Sequence, residues 1–311
     1  MGLKRDKCIE IGINCPPKMD GGIKAQYDNN QRNSEDAEEK VEKWQYKGAV
    51  RFKAIDEDGD TTETIITGVD KELADIEYYI YQNGNIEYKI NNKEKREKAQ
   101  YYYYDSSNNI HDLGVIKLKK ISQSRITKPK QLPKRSFYNN PIGGEYIYLV
   151  DVRDINSSYN NGDIKYKLSL NTTRYFINDI TTAAFLGAML NCGYEDFVFN
   201  GASDETGYSA GPSNSHWNGM HLDFRYLRKD KSGKNLHLNL SSETGDPCGW
   251  KGLDEVRQNK FNDELYLFGW TSMLSYYYNN KKLLNHTINY ANHNHHLHVQ
   301  IFKPKLKNIT K

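Results

Sequence analysis

Eight of the nine histidines of this 311-residue chain lie after residue 215, and six of them fall in two short segments. The first segment, SNSHWNGMHLDFRYL, places Asp223 seven positions after His216, with Gly219 between them where a glycine permits a tight turn. The second, HNHHLHVQIF, places His296 and His298 two positions apart. Read as a strand, MHLDFRYL turns Met220, Leu222, Phe224 and Tyr226 to one face and His221, Asp223 and Arg225 to the other. The same period puts Leu297, Val299 and Ile301 in the core and His296, His298 and Gln300 outside it. Imidazole nitrogen and carboxylate oxygen are preferred donors to zinc, and catalytic zinc has three protein ligands and leaves a fourth position to water. His216, Asp223 and His298 supply such a set. His296, two residues from a ligand on the same face, could act on the water at the fourth position or steady the oxyanion formed when water attacks a carbonyl. An HxH pair or a single HxxxxxxD arises often by chance. The combination, with a glycine at the turn and apolar backing on both strands, points to one-zinc hydrolysis.

Other residues carry weaker signals. Arg225 shares the face of Asp223 and could hold a substrate carboxylate through two hydrogen bonds, with a surface ion pair as the alternative. His221 could work at the same site or brace a ligand from behind, or it could be a solvated strand residue. His111, His237 and His286 read as structural. Neither DEDGD at 56–60 nor DINSSYNNGD, with Tyr159 where a calcium loop needs glycine, has calcium-binding spacing, and both read as turns.

The elements that must position these residues follow from hydrophobic period and punctuation. Residues 1–45 include the polar stretch DGGIKAQYDNNQRNSEDAEEKVEK and read as a lead-in. From 46 to 127, alternating segments such as YKGAVRFKAI, IEYYIYQ and LGVIKLKKI are separated by DEDGD, NGN and DSSNN turns, which predicts a small antiparallel β-domain. Within it IEYYIYQNGNIEYKI and QYYYYDSSNNIHDLGVIKL look like one hairpin repeated. Three prolines and several basic residues make 128–144 an extended connector and the predicted domain boundary. Residues 145–311 then form the zinc-bearing domain. It should contain a helix with Asp179 as N-cap and a stop at Gly193, a strand at YEDFVFNG, and a helix over 253–268 burying Leu253, Val256, Phe261, Leu265 and Phe268. The mixed order predicts the α+β class.

Bulk composition bounds the partners. The 43 basic and 40 acidic residues are interspersed and leave a net charge of +3, so no strong field toward nucleic acid or membrane is expected. No apolar run is long enough to span a bilayer. The start, MGLKRDKCIEIGINCPP, has basic residues without an apolar region, so a standard secretion signal is not expected. The four cysteines include no CxxC pair, and Cys8–Cys15 and Cys192–Cys248 disulfides compete with buried free thiols.

The histidine segments resemble the LAS-type zinc peptidases, the group of lysostaphin-type endopeptidases, D-Ala-D-Ala peptidases and the hedgehog signalling domain. The nearest likeness is to penicillin-insensitive murein endopeptidases. Their HxxGxxxD pattern is matched by His216, Gly219 and Asp223, and their HxxHxH pattern by His293, His296 and His298. The resemblance covers roughly residues 175–303. It implies a C-terminal LAS-type antiparallel sheet flanked by helices, His216, Asp223 and His298 as zinc ligands, and His293 and His296 as active-site residues. The substrate it implies is peptidoglycan, cut at stem-peptide or cross-link amide bonds. The dipeptidase branch has glutamate three positions before its last ligand where this chain has His295, whose strand parity turns it away from the metal. A cell-wall substrate and no secretion signal together imply an antibacterial effector made in the cytoplasm. A contact-dependent system such as type VI secretion would inject it into the periplasm of a target cell, with an immunity protein in the producer; a phage lysis or tail enzyme is the other route. A zinc-stabilised binding module without catalysis is the alternative function.

Overall fold

The computed structural model describes residues 50–55, 61–66, 73–122, 140–209 and 215–310. Contacts divide the chain into two compact units, Met1–Leu73 and Ala74–Lys311. In the first, Val50–Ile55 and Thr61–Ile66 form an antiparallel pair. The second unit is mixed α+β, mostly sheet with two α-helices among the described residues. No helix there is long and apolar enough to cross a membrane.

The repeated Tyr-rich segments are two hairpins, Ile76–Tyr81 with Asn85–Ile90 and Lys98–Tyr104 with Ile110–Lys117. Their first strands pair in parallel, and Lys305–Asn308 adds a fifth strand against Asn85–Ile90. The period of two sorts the tyrosines. Tyr78, Tyr101 and Tyr103 are buried, while Tyr79 and Tyr81 stack on Tyr102 and Tyr104 on the opposite face at 5.5 and 4.9 Å.

The buried tyrosines meet helix α1, Asp179–Cys192, which is enclosed on all sides. Tyr101 donates to the Asp179 carbonyl at 3.1 Å and Tyr103 to Asn191 Oδ1 at 2.8 Å. Phe185 of the same helix packs on Phe199 and Phe224 of a second sheet, with ring centroids 6.1 and 5.1 Å away. At Gly187 a Cβ would lie 2.4 Å from the Phe268 ring and 2.8 Å from Ile80, so only glycine fits. A helix hydrophobic all round is what a layer between two sheets requires.

That second sheet has seven strands in the order Thr287–Asn289, Trp270–Ser275, Leu297–Phe302, Leu222–Phe224, Phe197–Gly201, Ile164–Leu170 and Ser158–Asn161. Its central four strands are antiparallel, and parallel pairings flank them on each side. Helix α2, Glu255–Leu267, packs on α1 and on Trp270–Ser275.

Several sequence expectations are corrected. The 46–127 segment is not a domain apart from 145–311. Residues 74–122 belong to the C-terminal unit, because Lys119–Ser122 pairs with Tyr146–Asp151 and Lys305–Asn308 returns to the Tyr-rich sheet. The N-cap of α1 is Asn178, whose Oδ1 accepts from the Ile180 amide at 2.9 Å, and Asp179 shares that amide at 3.1 Å and accepts the Tyr78 hydroxyl. Of the positions expected to be buried over 253–268, Leu253, Phe261, Leu265 and Phe268 are buried, but Val256 is 80% exposed, and the helix itself is Glu255–Leu267. Cys192 and Cys248 are buried free thiols. Residues 20–45, DEDGD, Cys8, Cys15 and most of the connector lie outside the described residues.

Candidate metal centre

Two adjacent strands and one returning loop build the site. Asp223 in Leu222–Phe224 stands directly opposite His298 in Leu297–Phe302, so their side chains share a face. His216 reaches them from the loop before a short 3-10 turn, Trp217–Gly219. The turn needs its glycine. Gly219 has φ 64°, and a Cβ there would lie 2.4 Å from Ile177 Cα and 2.6 Å from the Asn178 nitrogen. The loop thus pinches against the start of α1 and delivers His216 Nε2 to 3.0 Å from Asp223 Oδ2. His298 Nδ1 lies 2.7 Å from Asp223 Oδ1, and the potential ligand atoms of the three residues all fall within 4.8 Å of one another. All three side chains are buried.

The chemistry of the donor set decides what the trio could hold. His216 Nδ1 donates to the His221 carbonyl at 2.8 Å, since a carbonyl can only accept, which leaves Nε2 as the nitrogen that faces Asp223. Burial pushes His298 down to about 4, so near neutral pH its ring is uncharged. If its proton is on Nδ1, facing Asp223, its buried Nε2 has no hydrogen-bond partner. If the proton is on Nε2, a lone pair faces Asp223. Burial alone would raise the Asp223 carboxyl, but the neighbouring His216 and His298 rings hold it well below the usual range. One carboxylate and two imidazoles whose potential ligand atoms converge within 4.8 Å could hold a divalent cation, and the carbonyl behind His216 fixes which of its nitrogens faces it.

His296 lies beside this trio. Its Nε2 is 3.6 Å from Asp223 Oδ1, beyond hydrogen-bonding range, and burial lowers it to about 3, which keeps the ring neutral. His293 lies beside it at a tilt of 40°, centroids 4.7 Å apart, and its Nδ1 donates to the Ala291 carbonyl at 3.0 Å. The Tyr226 hydroxyl donates to the His293 carbonyl at 2.7 Å and pins that turn. His295 is turned away as expected, exposed and approaching His237 at 5.8 Å, although it and His296 both precede the strand, which begins at Leu297. Parity fails at Ile301, which was expected in the core. Its φ of 58° breaks the alternation, leaving Ile301 half-buried and turning Phe302 inward.

Arg225, expected on the substrate side, is placed elsewhere, whereas His221 takes the bracing place weighed for it. The strand ends at Phe224, so the alternation does not carry to Arg225, whose Nη1 donates to the Gly233 carbonyl at 2.8 Å. His221 is 2% exposed and braces the site from inside. Its Nε2 accepts from the Ile301 amide at 3.3 Å, and its ring packs edge-on to His298 at 5.7 Å. The residue that sequence reasoning missed is Arg174, whose Nη2 donates to Asp223 Oδ2 at 3.1 Å. It lies 49 positions before Asp223, outside both histidine segments, and carries no motif.

Comparisons of the chain with protein-family models, with curated proteins and with solved structures gave no match.

Proposed function

We propose that this chain is a zinc-dependent peptidase of the LAS type that hydrolyses stem-peptide or cross-link amide bonds in peptidoglycan. The observation that carries the proposal is the buried His216, Asp223 and His298 trio with His296 beside it and not among the ligands. A structural zinc site closes with four protein ligands, whereas a catalytic one keeps a position open and a base nearby. His216, Asp223 and His298 would hold the ion. Bound zinc polarises a carbonyl and lowers the pKa of water. The protein's own part is to place His296 Nε2 3.6 Å from Asp223 Oδ1, where its ring could take a proton from attacking water or give one to the leaving amine. The order of HxxGxxxD before HxxHxH, at 216–223 and 293–298, supports peptidoglycan as the substrate through the resemblance to murein endopeptidases.

Purified protein loaded with zinc is expected to release soluble muropeptides with new termini from sacculi, read by mass spectrometry. Chelation should stop the release, zinc should restore it, and His216→Ala should abolish it. Release that is unchanged in His216→Ala would overturn the proposal. Zinc binding with no release would leave the binding-module function in its place.

A further inference from the structure

We infer that Arg174 is a positioning residue for the metal centre, fixing the Asp223 carboxylate in the orientation that serves the ion. This rests on reading His216, Asp223 and His298 as the ligands. The two carboxylate oxygens have different company. Oδ1 has His298 Nδ1 at 2.7 Å, while Oδ2 has both His216 Nε2 at 3.0 Å and Arg174 Nη2 at 3.1 Å. A carboxylate oxygen offers about two lone-pair sites, so the guanidinium can hold one on Oδ2 and leave the other to a cation. Unlike an imidazole, a guanidinium does not lose its proton and cannot itself become a ligand. It is therefore a permanent donor beside groups that can switch between donating and accepting.

The path of the side chain shows that this contact is built in. Arg174 sits between Ile164–Leu170 and Phe176–Asn178, its amide donating to Thr172 Oγ1 at 2.9 Å and its carbonyl accepting from Ala202 at 3.0 Å. From there the guanidinium crosses Gly201, the residue paired with Asp223 across the ladder. A Cβ at Gly201 would lie 3.0 Å from Arg174 Nε and Nη2 and 2.6 Å from Thr172 Oγ1. The absence of a side chain at 201 is what lets Arg174 reach Asp223. Among the described residues no other arginine or lysine is ion-paired with Asp223.

The test is a metal titration of the full chain. Apo protein is titrated with Zn2+ against a competing chelator, and with Co2+ while its visible absorption is recorded. Arg174→Gln is expected to bind Zn2+ about 10–100-fold more weakly, the range for losing an outer partner of a ligand, and to shift the cobalt bands. Arg174→Lys, which keeps a cation but loses the planar fork, should recover part of the affinity. Arg153→Gln, which breaks an exposed pair with Asp151, should match wild type. Melting in chelator establishes that each variant is folded. A wild-type protein that binds while Arg174→Gln binds equally, with the same cobalt spectrum, overturns this inference alone. A wild-type protein that takes up neither ion overturns the metal reading and the inference together.

Discussion

Asp179 and Asp223 are both buried carboxylates of the same compact unit, yet their partners differ in kind. Asp179 is surrounded by donors. It is paired with the Arg96 guanidinium, accepts the Tyr78 hydroxyl at 2.6 Å and takes the Ile180 amide at 3.1 Å. Arg96 also donates to the Tyr78 oxygen at 2.7 Å, which commits the tyrosine proton to the carboxylate. Asp223 has one such donor, Arg174, and is otherwise faced by imidazoles that carry a lone pair for every proton they can offer. A carboxylate saturated by donors is finished and ties one element to another. A carboxylate among ambivalent rings can be completed by a cation.

The sharpest way to break that contrast is Asp179→Ala, which strands a buried guanidinium and a buried phenol between the Tyr-rich sheet and α1. Removing one partner of a buried pair costs about 3–5 kcal/mol, a fall in melting temperature of about 10 °C for a unit of this size. Zinc affinity of the folded fraction should be unchanged. Denaturant unfolding alongside zinc titration checks both, and a loss of zinc binding like that of an Asp223 variant would show that the two sites are not separable.

A smaller effect sharpens the other side. An ion that binds only the native chain should stabilise it by about 2.7 kcal/mol at a hundred times its dissociation constant. Wild type should therefore melt higher with added Zn2+, and Asp223→Asn should show no such rise. An equal rise in both would place the ion elsewhere in the molecule.

How far this was legible in the sequence follows from the range of each signal. The strand residues that meet in register, Asp223 and His298, could be paired from period-two alternation and their motif spacing, whereas His295 and His296 precede the strand at Leu297, where its period does not reach. The repeated Tyr-rich hairpins were readable because alternation and turn residues act locally. Alternation failed where the backbone left it, at Ile301 with φ 58° and after Phe224 where the strand ends. Arg174 was invisible because its contact depends on a gap at Gly201, a relation between separate elements that no local period records. The domain boundary was misplaced for the same reason. Composition marked a connector at 128–144, but the parallel pairing of Lys305–Asn308 with Asn85–Ile90 joins segments over 200 positions apart.

Glu264 of α2 gives the intermediate case and the smallest predicted effect. It is half-buried with one strong donor, Asn191 Nδ2 at 2.6 Å, the same asparagine that accepts from Tyr103 at 2.8 Å. With so few donors burial prevails, and the Glu264 carboxyl is raised above its ordinary value. The native chain then holds this proton more tightly than the unfolded chain does. The resulting stability is fully present below the ordinary glutamate range and is lost as pH rises through the raised value. Glu264→Gln keeps the oxygen that Asn191 needs and removes the charge. It should match wild type near pH 4 and melt higher by about 1–2 °C at pH 8, the shift that a fraction of a kcal/mol produces in a unit of this size. Thermal melts across that range test it: a difference independent of pH, or a variant less stable at pH 8, would mean that Asn191 already satisfies the ionised carboxylate as Arg96 and Tyr78 satisfy Asp179.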